Sequence, residues 1–202
     1  MPGPITHLKA AYVFSDGSYL EPSAFYLGSI SPDSVNINGR AEKSVRWPAH
    51  LRDKDTEVWL NNVREFWLEN KENFKNEDFL KGYLFHIITD IVWDKYFEEE
   101  LFSLFVTAGI KLKNMKSMRW VEFYGYEKLQ VELPWFSSCV LPCLSKAIPT
   151  VVGTLDVEEV KLWRDRIVLK ELEEGSFPIF IDDDFMNSFY KKVSETAETV
   201  LK

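Results

Sequence analysis

Histidine and cysteine are scarce in this chain, basic residues are outnumbered, and long apolar runs are missing; each lack excludes a class of protein. Its 202 residues carry 24 Lys and Arg against 32 Asp and Glu, for a net charge of −8 and an isoelectric point near 5.0. Binding to nucleic acid or to an anionic membrane depends on cationic side chains that neutralise phosphates, so no nucleic-acid footprint is expected. A small phosphate-ester substrate is compatible with this balance. No stretch approaches the ~18 apolar residues of a transmembrane segment. Met1-Pro2-Gly3-Pro4-Ile5-Thr6-His7 does not show the basic-then-apolar form of a secretory leader, so the expected location is cytoplasmic. The two cysteines, Cys139 and Cys143, stand in Cys-Val-Leu-Pro-Cys, which lacks the spacing of a zinc knuckle and has no second pair; they read as packed thiols without a function. There is no internal repeat or low-complexity tract, and nothing specifies an oligomeric state.

What is present is apolar and aromatic: 46% of residues are hydrophobic and 15% aromatic, enough for one domain with a well-buried core. The chain is organised around Lys81-Gly82-Tyr83-Leu84-Phe85-His86-Ile87-Ile88-Thr89-Asp90-Ile91-Val92-Trp93, apolar on nearly every side, as in a helix buried at the centre of a helical domain. His86 and Asp90 lie four residues apart, so they leave one helix face a turn apart. A buried carboxylate needs a positive partner, and this pair can ligate one metal ion; alternatively it is a satisfied core histidine beside a salt-bridged aspartate.

Taken in order, residues 6–14 give a short helical pattern with Thr6 placed to cap it, broken by Asp16-Gly17-Ser18, and 22–27 another that ends at Gly28. Residues 29–40, which include Asp33, read as a loop, and 42–55 as irregular because Pro48 opposes regular helix. An amphipathic helix follows from Thr56 to about Asn70, then a linker, then the central helix with Glu77 and Asp78 in its first turn. Helical signal continues over 94–106 and 113–133, with a kink expected at Gly125. Asp156 caps a helix reaching Gly175, Phe177–Ile181 is the one extended piece, and a terminal helix begins at Asp182-Asp183-Asp184.

The only histidines are His7, His50 and His86. With Asp33 and Asp90 they make a nitrogen and oxygen set that zinc accepts. The succession Thr6-His7, Phe25-Tyr26-Leu27-Gly28-Ser29-Ile30-Ser31-Pro32-Asp33, His50 and Gly82-Tyr83-Leu84-Phe85-His86-Ile87-Ile88-Thr89-Asp90 resembles the zinc-dependent phospholipase C family, whose all-helical fold the secreted zinc nucleases share. The resemblance spans about residues 5–97, with 98–202 as helical completion.

That resemblance implies an all-α, single-domain multi-helix bundle of the zinc-dependent phospholipase C type over residues 1–202. It makes Asp33, His50, His86 and Asp90 ligands of one zinc, with Asp90 bridging to a second that His7 also holds, and Asp33 doubling as general base. The family completes its second ion with the backbone of the N-terminal residue, a role that falls here to Pro2 after loss of Met1. A third family site needs histidines C-terminal to the central helix, and none follows His86, so one or two zinc ions are expected. Arg46, four residues before His50, can reach a phosphate oxygen or be a structural arginine. The implied function is zinc-dependent hydrolysis of a phosphodiester of unspecified substrate; the rivals are a non-enzymatic protein with a structural zinc, and an unmetallated core.

Overall fold

The apolar run forms the axis of the bundle. In the computed structural model, which describes residues 2–15, 21–173 and 175–201, it folds as α5 (Glu77–Val92), buried from Phe79 to Val92 except at Lys81. Asn76 caps this helix by accepting from the Phe79 N–H at 3.0 Å, and Glu77 and Asp78 complement the dipole of its first turn.

Before it come α1 (Pro4–Ser15), α2 (Pro22–Gly28), a 3₁₀ helix (Ser31–Asn36), α3 (Lys43–Ala49) and α4 (Thr56–Asn70). After it, a π-helical turn (Trp93–Phe97) leads into α6 (Glu98–Thr107), followed by α7 (Leu112–Gln130), a second π turn (Trp135–Val140), α8 (Leu141–Leu144), α9 (Val157–Val168) and α10 (Asp183–Val200). The described residues contain no β-strand, and they make one all-α multi-helix domain. Among the described residues no helix is long and apolar enough to cross a membrane.

α1, α2, α4 and α10 pack on α5. The α2 contact is backbone on backbone: a Cβ on Gly28 would lie 2.3 Å from the Phe79 carbonyl oxygen, and one on Gly82 would lie 2.1 Å from that of Phe25. Only glycine allows helices this close. Beyond α5, Trp93 meets Phe123 and Phe189 edge-on at centroid distances of 4.7 and 5.7 Å, which locks the π turn to α7 and α10.

Several expectations need correction. α1 begins at Pro4, so Thr6 is an interior, buried residue and not a cap. The 29–40 loop contains a 3₁₀ helix, opened by Pro32 with its preset φ. The 42–55 stretch contains α3, because Pro48 falls in the last turn and removes a single intrahelical bond; Leu51, in the left-handed region at φ 49°, then ends the helix. α7 passes through Gly125 unbroken, since the missing Cβ there admits the Ser176 carbonyl, whose oxygen would sit 1.7 Å from one. α9 stops at Val168, where Lys170 turns left-handed at φ 55°. Phe177–Ile181 pairs with no strand; the N–H groups of Ile179, Phe180 and Ile181 donate at 2.7–3.2 Å to the carboxylate of Glu122. Cys143 packs against the core as expected, but Cys139 is exposed. The predicted break at Asp16-Gly17-Ser18 lies outside the described residues.

Candidate metal centre

Five ligand-type residues from four segments converge beside α5. His86 and Asp90 come from α5 itself, His7 from the first turns of α1, Asp33 from the 3₁₀ helix, and His50 from the residue that closes α3. His7, His86 and Asp90 are fully buried, His50 nearly so, and the Asp33 side chain keeps 13% exposure. Asp33 is thus the member that reaches solvent.

The backbone sets each ring. The Nδ1 of His50 meets the Arg46 carbonyl at 2.9 Å, and the Nδ1 of His86 meets the Ser29 carbonyl at 2.9 Å. A carbonyl only accepts, so Nδ1 carries the proton and Nε2 presents a bare lone pair. Those Nε2 atoms face the carboxylates: His50 lies 3.4 Å from Asp33 Oδ1 and 3.8 Å from Asp90 Oδ2, and His86 lies 4.0 Å from Asp33 Oδ2 and 3.9 Å from Asp90 Oδ2. The other oxygen of Asp90, Oδ1, lies 3.5 Å from His7 Nε2. His7 stacks on His86 with ring centroids 3.7 Å apart.

Both oxygens of Asp90, both nitrogens of His7 and the Nε2 atoms of His50 and His86 are buried without a hydrogen-bond partner among the described residues. So many orphaned atoms in one place would be costly in a finished core. Two sets, His7-His86-Asp90 and Asp33-His50-His86, have ligand atoms mutually within 4.8 Å. Ligands of a tetrahedral zinc, each ~2.0–2.2 Å from the ion, stand ~3.3–3.6 Å apart, close to these separations. The residues therefore fit a metal ion. His86 has one free nitrogen and belongs to both sets, so it serves one ion at a time, whereas Asp90 turns one oxygen to each side.

Electrostatics leads to the same chemistry. Burial lifts the Asp90 carboxyl to about 7 despite the pull of His50, and burial drops His86 to about 4 and His7 well below the ordinary imidazole value. Burial raises the Asp33 carboxyl, but the closeness of His50 and the fields of His86 and His7 overcome it and hold Asp33 well below the usual carboxylate range. His50 is raised, the Asp33 and Asp90 charges outweighing burial. Without a cation, burial keeps His7 and His86 neutral, the form in which imidazole ligates, and pushes Asp90 toward the protonated form that a bound ion would reverse.

Arg46 stands one turn before His50 on α3, half-buried, and its guanidinium makes no ion pair or hydrogen bond with any described residue. Burial and the fields of Arg40 and Arg52 pull its pKa down against the attraction of Asp33 and Asp90. Pro2 is buried at the start of α1, next to Gly3, whose carbonyl accepts from His7 N–H at 3.2 Å; Met1 lies outside the described residues.

Glu127 is a contributor that the sequence reading missed. From α7 its carboxylate accepts from the N–H and the hydroxyl of Thr6, both at 2.8 Å, and so anchors the turn that carries His7. It is buried, and burial raises its pKa to about 7. Nothing local marks it among the acidic residues of an amphipathic helix. A cleft of about 280 Å³ lined by Tyr96, Phe97, Ser188 and Lys192 lies elsewhere, and none of the five ligand-type residues borders it. No family model matches the chain, and no curated protein or solved structure matches it either.

Proposed function

We propose that this protein is a zinc-dependent hydrolase of phosphoric esters, phosphodiesters first, working with one or two zinc ions in a phospholipase C-like all-α fold in the cytoplasm. The observation that carries the reading is the pair of Nδ1-to-carbonyl hydrogen bonds that turn the Nε2 atoms of His50 and His86 toward the carboxylates of Asp33 and Asp90. A backbone carbonyl that accepts from Nδ1–H fixes the ring and aims Nε2, as it does for imidazoles that ligate metals. Asp33, His50, His86 and Asp90 would hold one ion, and His7 with the far oxygen of Asp90 a second.

Zinc supplies Lewis acidity, which polarises a phosphoryl oxygen and acidifies water to a pKa of ~7. The chain's own groups do the rest. Asp33, ionised and in contact with solvent, takes the proton of the attacking water as general base. Arg46 binds a non-bridging phosphate oxygen and positions the ester over the centre. The apolar walls of α5 exclude bulk water from Asp90.

A structural zinc is favoured by one observation: His7, His86 and Asp90 are fully closed to solvent, as in centres with no open position. Elemental analysis of untagged protein together with turnover of a nitrophenyl phosphodiester separates the readings. The expected result is between half and two zinc per chain and slow hydrolysis that stops with chelator. Bound zinc without turnover on mono- and diesters supports the structural role, and no bound metal removes both.

A further inference from the structure

Asn36 closes the 3₁₀ helix three residues after Asp33, and both ends of its side-chain amide are engaged. The nitrogen donates to Asp33 Oδ1 at 3.1 Å, and the oxygen accepts from the N–H of Ala41 at 3.0 Å. A carboxylate only accepts and a backbone N–H only donates, so these two partners fix which end of the amide is which. The Asn36 carbonyl in turn accepts from the Gly39 N–H at 2.9 Å, and Gly39 turns the chain at φ 104°, a conformation that glycine adopts freely. One side chain thereby bridges Asp33 to the segment that leads into α3, the helix closed by His50. α3 itself packs on the 3₁₀ helix.

Of the five ligand-type residues, Asp33 has the greatest need of such a hold. Carbonyls set the rings of His50 and His86, and Asp90 is fully buried on α5, whereas Asp33 keeps 13% exposure on a helix of six residues. The terminal torsion of an aspartate is broad, so a carboxylate at the edge of water turns easily unless a donor holds it. Among the described residues the Asn36 amide is the N–H from which this carboxylate accepts, because His50 turns a bare Nε2 toward it. Asn36 also meets the oxygen that stands 3.4 Å from His50 Nε2, Oδ1. That oxygen has two lone pairs; the amide uses one and leaves the other available to a cation.

We propose that Asn36 is a positioning residue of the metal centre, holding the Asp33 carboxylate turned toward His50 and His86 and acting on the ion through Asp33. This rests on the bound metal that the hydrolytic and structural readings share, and it holds for either.

The test follows metal binding by the full chain in two ways: competition with a chromophoric chelator for zinc, and visible absorption of the cobalt(II)-loaded protein. The thermal midpoint of the metal-free protein is measured beside them. Asn36→Ala should weaken zinc binding by ~10–100-fold and alter the cobalt band, while lowering the metal-free midpoint by no more than ~4 °C. Removing the carboxylate removes the route of action, so in an Asp33→Ala background the same change should alter zinc affinity by less than about twofold. Asn36→Ser, a shorter polar side chain, supplies the reading where the alanine variant does not fold. Parental zinc affinity and an unchanged cobalt band in the Asn36 variants would overturn the proposal. An equal loss of affinity with and without the Asp33 carboxylate would also overturn it, making Asn36 a general support of the loop. A parent chain that takes up neither zinc nor cobalt overturns the metal reading and this proposal together, an outcome visible before any variant is compared.

Discussion

Asp90 is the residue that can serve both sides of the centre, because its two oxygens face opposite ways: Oδ2 toward His50 and His86, Oδ1 toward His7. Asp90→Asn should therefore lower zinc content by more than His7→Ala, which touches one side only. His86→Ala should be worse for stability, since losing the zinc leaves the Asp33 and Asp90 carboxylates without their compensating charge, a defect of roughly 3–5 kcal/mol when one partner of a buried charge pair is lost. Elemental analysis and thermal midpoints of the three purified variants check the order. Full zinc and unchanged midpoints in Asp90→Asn and His86→Ala would show that these side chains hold no metal. At this scale the sequence was informative where chemistry is rare: three histidines in the whole chain, and all three meet. Glu127 was illegible for the opposite reason, being one acid among 32 acidic residues, distinguished only by the apolar shell that burial puts around it.

Among the elements, the α2–α5 crossing does most to build the centre, for it brings the Ser29 carbonyl within 2.9 Å of His86. Gly82→Ala gains up to ~1 kcal/mol of helix propensity, but its Cβ would meet the Phe25 carbonyl at 2.1 Å, backbone that cannot move aside as a side-chain tip can. The two helices must separate, at a net cost of ~3 kcal/mol or more, with loss of the Ser29 bond and of zinc. Urea denaturation and metal analysis of the variant test this; a variant as stable as the parent would mean that the crossing tolerates a methyl. α4 was readable from its apolar period, α5 from its apolar run and acidic first turn, and α10 from its acidic start at Asp182-Asp183-Asp184. The 3₁₀ helix and α3 were not, because six or seven residues give too little period to compete with a nearby proline and their stability comes from tertiary contact. Phe177–Ile181 looked like a strand because it is apolar and extended; its backbone is instead satisfied by one distant carboxylate, which no local pattern encodes.

Across the whole molecule, Glu127 joins the second half of the chain to the first, and its buried carboxyl links stability to pH. Its folded-state pKa of about 7 stands above the ordinary 4.5, so between these values the folded chain holds a proton that the unfolded chain has released. The contribution is complete below pH 4.5 and is lost as pH rises through 7, a change of about 3 kcal/mol. Glu127→Gln should flatten this part of the profile. The comparison belongs in zinc-loaded protein, where Asp90 is held ionised, with stability measured by denaturant titration from pH 5 to 8. Equal slopes in parent and variant would show that Glu127 does not titrate on unfolding.

The Thr6–Glu127 bond spans 121 positions, and it has a consequence for the order in which the chain can assemble. Every ligand lies within the first 90 residues, yet the turn that aims His7 is fastened by a residue that emerges long after them. Closing so long a loop costs entropy before the contact repays it. The 3₁₀ helix that carries Asp33 packs on α9, and the His7 side waits for α7. A nascent chain holding its complete ligand inventory is therefore still an unfinished centre.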